Sequence, residues 1–200
     1  MIELNQLSHE IAVCRACKLA DGRTNTVPGE GCSQAEIMFI GEAPGEREDQ
    51  LGRPFVGAAG KFLDELLFSI GLKRSDVYIA NIIKCRPPGN RDPLPDELLA
   101  CKPWLDRQIK LINPRMIVTL GRFSMSLFFP GKAIGKIHGN SIINNGVIYF
   151  PMYHPAAALH QGGLKEVIKA DIRKIPDLLE GSKLTEKASV EESPQQLTLL

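Results

Sequence analysis

The chain is predicted to be an α/β protein of three layers, with helices on both faces of a central four-stranded, mostly parallel β-sheet. Three observations lead there. Short apolar runs alternate with helical stretches along the 200 residues, which is the pattern of strand–helix–strand units. The runs Ile37–Ile40, Val77–Ile83 and Met116–Leu120 are almost wholly apolar, as strands covered on both faces must be. Each run then stops at a Gly- or Pro-rich segment carrying polar residues, the way open α/β sheets build sites at strand ends.

The elements follow in order. Ile2–Val13 reads as a helix with Leu4, Leu7, Ile11 and Ala12 on one face. Cys14-Arg15-Ala16-Cys17 comes next, and Thr24–Gly31 is a polar loop. The run Ile37–Ile40 is the first strand; it breaks at Gly41-Glu42-Ala43-Pro44-Gly45, where two glycines and a proline preset a turn. A charged loop leads to Pro54-Phe55-Val56-Gly57 and a helix over Ala58–Ile70. Val77–Ile83, with Asn81 inside it, is the second strand and ends in the basic, Pro-rich loop from Lys84 to Pro93. Pro95–Ile112 is a helix carrying Cys101 and Trp104. Met116–Leu120 is the third strand, followed by a short helix over Arg122–Phe129. Ile134–Val147 reads as an extended pair turning at Asn144-Asn145-Gly146, an Asn-Gly hairpin signal. Val147–Tyr153 is the fourth strand and ends at His154-Pro155, and Leu164–Leu179 is the last helix. Glu42, Asn81 and His154 thus fall at or near the ends of three strands, which a parallel sheet gathers along one edge. The folded domain is expected to span residues 1–179, with residues 180–200 a polar, disordered tail.

The formal net charge is +1, so any contact with a polyanion must rest on a local patch. No apolar run is long enough for a membrane span, and the N-terminal MIELNQLSHEI lacks the form of a secretory signal. The expected location is the cytoplasm. Five cysteines there point to ligand or redox roles rather than a disulfide framework. Cys14, Cys17, Cys85 and Cys101 offer four thiolates, suited to a structural zinc or an iron–sulfur cluster; their spacing does not choose between the two, and buried, unliganded thiols are the plain alternative. Cys32 stands apart and reads as a structural thiol.

Five motifs in order carry a resemblance. They are GEAPG at Gly41–Gly45, Glu48 with Gly52-Arg53-Pro54-Phe55-Val56-Gly57, Asn81, Lys84-Cys85-Arg86-Pro87-Pro88, and His154-Pro155-Ala156-Ala157-Ala158-Leu159. Together they resemble family 4 uracil-DNA glycosylases from about Cys14 to Leu179, and the fold the resemblance implies is uracil-DNA glycosylase-like. It implies a [4Fe–4S] cluster on Cys14, Cys17, Cys85 and Cys101, a monofunctional, monomeric enzyme of base-excision repair associated with the nucleoid, and uracil-containing DNA as substrate.

Hydrolysing the N-glycosidic bond of an extruded base calls for a donor near uracil O2, a platform for the ring, a reader of the amide edge, and an acidic group near sugar and water. His154 suits the donor, since an oriented imidazole stabilises developing anionic charge. Phe55 suits the platform. Asn81 offers both a donor and an acceptor to the uracil edge. Glu42 suits water positioning or stabilisation of the sugar cation, with Gly41 and Ala43 able to approach the base closely. Glu48 matches the family position that crowds uracil C5 against thymine's methyl group. Pro155–Leu159 resembles the loop pressed into the minor groove, with Pro155 and Ala156 near the backbone and Leu159 as the wedge. Arg86, Arg91, Lys84 and Lys136 are candidate phosphate contacts. The ordinary reading of each of these residues is core packing for Phe55, capping or core packing for His154, and surface solvation for the charges.

Gly135-Lys136-Ile137-His138-Gly139 departs from the family, which often carries Arg-Gly there. A related branch bonds covalently to DNA through a histidine in a Lys-Arg-Arg-Ile-His loop; only Ile137-His138 matches, so turnover with water is expected, with crosslinking through His138 as the alternative. A non-catalytic iron–sulfur DNA-binding module and a small-molecule enzyme of nucleotide metabolism are further alternatives, the latter weakened by the missing GxxxxGK[ST] pattern. Gln196-Leu197-Thr198-Leu199-Leu200 resembles a sliding-clamp-binding peptide, with Leu200 where Phe is usual.

Overall fold

A computed structural model describes residues 2–182. In chain order the elements are α1 (Ile2–Ala12), α2 (Leu19–Gly22), β1 (Glu30–Gly31), β2 (Ile37–Gly41), α3 (Glu46–Leu51), α4 (Ala58–Ser69), β3 (Tyr78–Asn81), α5 (Pro95–Ile112), β4 (Met116–Leu120), α6 (Arg122–Ser126), α7 (Ile134–Ile137), β5 (Ile142–Asn144), β6 (Val147–Met152), α8 (Pro155–His160) and α9 (Gly163–Ile172). Residues 175–182 are also helical.

The sheet has six strands in the order β1-β3-β2-β4-β6-β5. The inner four are parallel, as expected, and the two outer strands are antiparallel additions. Alternation along β2 explains why two layers of helices are needed. Ile37 and Phe39 face a core with Phe62, Leu63 and Leu66 of α4 and Ile168 of α9. Met38 and Ile40 face the other core, with Leu4, Leu7 and Ile11 of α1 and Leu105 of α5. Each face is apolar, so neither can be left to water.

Several elements differ from the sequence reading for local reasons. The expected hairpin does turn at Asn145-Gly146, both with positive φ, as a two-residue turn between twisted strands demands. Its first arm is shorter than expected, because Ile134–Ile137 coils into α7. The polar loop Thr24–Gly31 ends in β1, which pairs with β3. The charged segment after GEAPG forms α3, whose first turn holds Glu46, Glu48 and Asp49 where the helix dipole favours acidic groups. The last helix is interrupted before residue 175: Pro176 has no amide hydrogen and cannot continue α9, but suits the first turn of a new helix. Pro151 sits in the interior strand β6 without breaking its pairing to β4. Its carbonyl accepts from Gly139 N at 2.8 Å, so its imide nitrogen also faces that outer side, past the end of β5.

The order of the inner strands places the site. From β2 the chain goes to β3 on one side and then crosses to β4 on the other. The carboxyl end of β2 is therefore a switch point, where the connecting loops diverge and leave a crevice. Phe39, wholly buried at the centre of β2, anchors this arrangement. Phe39→Ala is expected to lower unfolding free energy by about 3–5 kcal/mol, read as a shift in the denaturant midpoint with an unchanged slope.

Candidate active site

At the carboxyl edge of the sheet, Gly41 ends β2 directly beside Asn81 at the end of β3. Ile82 N donates to Gly41 O at 3.0 Å and Ile83 N to Glu42 O at 3.2 Å, which carries the two strands' pairing into their loops. A slot of about 90 Å³ opens here, lined by Ala43, Gly45, Glu48, Phe55, Ala59, Asn81 and His154. Gly41 has no room for a side chain. A Cβ there would stand 2.4 Å from Asn81 Oδ1 and 2.6 Å from Phe55 Cζ.

Asn81 is 2 % exposed, and its Oδ1 is buried with no hydrogen-bond partner. A buried acceptor left open is costly unless a ligand donor completes it. Phe55 is buried in a left-handed conformation, φ 52°, which is strained for an aromatic residue. Its neighbours hold it there. Arg74 Nη1 donates to Phe55 O at 3.1 Å and Arg74 Nη2 to Pro54 O at 2.6 Å, while the guanidinium is itself paired with Glu30 and Asp64. Helix α4 passes so close that a Cβ on Gly60 would lie 1.8 Å from Phe55 O. Glu48 lines the slot, and its Oε1 accepts from Val56 N at 2.8 Å and Gly57 N at 2.9 Å. One face of Glu48 therefore braces the loop that carries Phe55.

His154 stacks on Phe55, with ring centroids 5.5 Å apart and planes 28° from parallel. It caps α8, accepting the amide hydrogen of Ala156 on Nδ1 at 3.1 Å. An accepting Nδ1 in a neutral ring leaves the proton on Nε2. Crowding at the slot wall removes water from the ring and pulls its pKa down to about 4, against a smaller opposing pull from Glu48, so the ring is neutral at physiological pH. Gly121, with φ 93°, lets β4 pass beneath it: a Cβ there would come within 3.0 Å of His154 Cβ.

Glu42 lies at the same rim but is not among the residues lining the slot. Burial pushes its carboxyl up to about 7; Asp92 adds to the shift and Arg122 opposes it. Asp92 and Arg122 are themselves ion-paired at 2.5 Å. Neither was singled out in the sequence, because each reads as an ordinary surface charge. Arg74 and Ala59 were not singled out either, Ala59 reading as one more helix residue; only the turn PFVG hinted that something must hold Phe55.

The sequence-predicted DNA contacts divide. Pro155, Ala156 and Leu159 lie on the short helix α8 rather than on a loop, since Pro155 takes the first helical position after the His154 cap; Leu159 is exposed. Lys136 is exposed on α7, and Arg86 is half-buried with its Nε on Asn90 Oδ1 at 2.7 Å. Arg91 is paired with buried Glu97 at 2.6 Å. Lys84 is corrected: it is 1 % exposed and cannot reach a phosphate. His138 is not in the slot lining; its Nδ1 lies 2.7 Å from Asp171, whose side chain is buried, and its ring packs against Tyr153. The expected clamp-binding residues Gln196, Leu197, Leu199 and Leu200 lie outside the described residues.

Cys14, Cys17, Cys85 and Cys101 come together from the segment between α1 and α2, the loop after β3 and α5, around a cavity also lined by Ile11, Lys84 and Trp104. Three N–H groups point at their sulfurs: Trp104 Nε1 at 3.3 Å from Cys14, Arg23 Nη1 at 3.3 Å from Cys85, and Lys84 N at 3.2 Å from Cys101. Burial raises the Cys85 thiol and pushes that of Cys101 up to about 11, so without a ligand those two would stay protonated. Among the described residues no three His, Cys, Asp or Glu side chains converge on a single metal ion. Four thiols around an apolar cavity, with donors aimed at sulfur, fit the residues that would hold an iron–sulfur cluster. Cys32 stands apart from this set, packed against the core.

Comparison with known proteins gives the chain its family. The family model of the Uracil DNA glycosylase superfamily matches residues 28–173, so the α/β fold is that of the superfamily. The Type-4 uracil-DNA glycosylase of Sulfurisphaera tokodaii is 50% identical over 89% of this chain and 86% of its own length. That of Saccharolobus solfataricus is 49% identical over 92% and 90%, and that of Thermotoga maritima 46% over 84% and 90%. The chain belongs to the type-4 uracil-DNA glycosylases. Gly41→Ala is expected to leave the fold intact while displacing Asn81 Oδ1 and the Phe55 ring, so that protection by free uracil in a thermal-shift assay, present in the wild type, is lost.

Proposed function

We propose that this chain is a monofunctional glycosylase of base-excision repair that extrudes uracil from DNA and hydrolyses its N-glycosidic bond, leaving an abasic site. The observation that carries this is the open, buried Asn81 Oδ1 beside the Phe55 ring. It awaits an N–H donor on the edge of a flat ring, and uracil N3–H is such a donor, with O4 next to it for the amide NH₂. Cytosine presents the reverse pattern. Stacking on Phe55 contributes about 1–3 kcal/mol, enough to offset much of the few kcal/mol that extrusion costs.

The neutral His154 directs Nε2–H toward O2, where negative charge gathers as the bond breaks. A neutral donor serves better here than a cation would in the ground state, because its stabilisation grows with the charge it meets. Glu42, as a carboxylate, orients water and faces the cation-like sugar. Glu48 both braces the Phe55 loop and narrows the slot on the side of C5, against thymine. Lys136 and Arg86 meet phosphates, and α8 brings Pro155, Ala156 and Leu159 to the minor groove. Cys14, Cys17, Cys85 and Cys101 would hold a [4Fe–4S] cluster, which when bound ties α1, α5 and the loop after β3 by metal–thiolate bonds. The protein works as a monomer associated with the nucleoid.

The reading is tested by release of free uracil from a uracil-containing oligonucleotide. Wild type is expected to release it, while Asn81→Ala, His154→Ala and Glu42→Gln each fall by about 10²–10⁴-fold; no release by cluster-loaded wild type would leave a DNA-binding module instead. Because the working Glu42 is ionised and its pKa is raised to about 7, kcat/KM is expected to climb with pH, reach half its plateau near 7, and lose that limb in Glu42→Gln. The C-terminal Gln196–Leu200 segment is proposed as a sliding-clamp peptide. Full-length protein is expected to be retained on immobilised clamp and a chain ending at Pro194 is not.

A further inference from the structure

Lys84 is the one described residue that combines a long cationic side chain with burial to 1 % exposure. Its Nζ donates to two uncharged oxygens, Asn81 O at 2.8 Å and Gln108 Oε1 at 2.6 Å. Gln108 is wholly buried as well, and its amide NH₂ is spent on Pro28 O at 2.7 Å and Tyr78 OH at 3.2 Å. Among the described residues no carboxylate pairs with Lys84. An ammonium taken out of water with only neutral partners is a heavy penalty unless negative charge lies close by. The negative charge available is that of the cysteines: Lys84 lines their cavity, its own N–H meets Cys101 Sγ at 3.2 Å, and Cys85 is the next residue.

Resting on the reading of those four cysteines as cluster ligands, we infer that Lys84 is a positioning residue, the internal counter-ion of the thiolate-bound cluster, which through its bond to the Asn81 carbonyl sets the end of β3 where uracil is read. The physical logic is reciprocal. The net negative charge of four thiolates and their irons makes the buried ammonium tolerable, and the ammonium makes the added negative charge of cluster reduction less unfavourable. The same Nζ grips the backbone of the residue whose Oδ1 waits in the slot. Loss of the charge therefore registers at both ends of a segment only five residues long, Asn81 to Cys85.

The test uses full-length, cluster-loaded protein purified anaerobically, with Lys84→Met, which keeps the length and removes the charge, and Gln108→Glu, which keeps Lys84 and sets a carboxylate against it. The readouts are iron per chain, the cluster's midpoint potential by optical titration, and the inhibition constant of free uracil. Both variants are expected to shift the midpoint to more negative values, because each removes net positive charge beside the cluster. Lys84→Met is also expected to weaken inhibition by uracil about tenfold, the lower end of what outer-shell changes at metal sites produce, with kcat/KM falling more than kcat. A wild-type midpoint in Gln108→Glu would overturn the inference even if Lys84→Met fails to fold or loses iron, and so would unchanged midpoint and uracil inhibition in Lys84→Met. Wild-type protein without iron would overturn it together with the cluster reading, whereas iron-loaded wild type that releases no uracil refutes only the enzymatic reading and leaves the potential shift to decide.

Discussion

The contact between the ends of β2 and β3 is the constraint on which the site depends. Two parallel strands place Gly41 and Asn81 side by side, and the missing side chain at Gly41 is what lets an amide oxygen and an aromatic edge occupy the same few ångströms. Phe55 reaches that spot only in a left-handed backbone conformation, which its own preferences oppose. The strain is absorbed by the Arg74 guanidinium on two successive carbonyls, by Glu48 on the next two amides, and by a glycine where α4 crosses. His154 then has a ring to stack on and a cap to make, and both orient it the same way. Removing the small residue at the strand end would loosen each of these in turn.

Electrostatics separates two titrating groups that share one rim. Desolvation lowers the imidazole of His154 and raises the carboxyl of Glu42, because burial always disfavours the charged form. The outcome is a neutral donor on one side and a carboxylic acid close to its midpoint on the other. The charges of the Asp92–Arg122 pair beside Glu42 pull in opposite directions and leave burial dominant.

The segment from Asn81 to Cys85 joins two regions that look unrelated in projection. One end lies in the slot and the other on the cysteine cavity, with Ile82 and Ile83 buried between them. The loop that follows is tied down by Arg91 on buried Glu97, which also caps α5 through Leu94 N. The cysteine cavity and the open Asn81 acceptor are thus joined by one short stretch of backbone, buried from Asn81 to Cys85, which keeps that acceptor from turning to solvent.

Much of this was legible from residue order. Apolar runs buried on two faces can only be interior strands, so the parallel core and the rim position of Glu42, Asn81 and His154 followed from hydrophobicity and punctuation alone; so did the Asn-Gly turn, whose positive φ values few other residue pairs accept. What residue order did not disclose was how distant side chains are spent. Lys84 reads as one more cation in a basic loop, and only packing shows it sealed inside; Arg74 and Gly60 read as unremarkable until the backbone of Phe55 is seen leaning on them. Short helices such as α3, α7 and α8 carry too few turns to leave a period. Local chemistry settles strands, turns and residue types because it acts between neighbours in sequence. Burial, charge compensation and the shape of the slot are set by groups tens of residues apart, and only the tertiary structure brings those together.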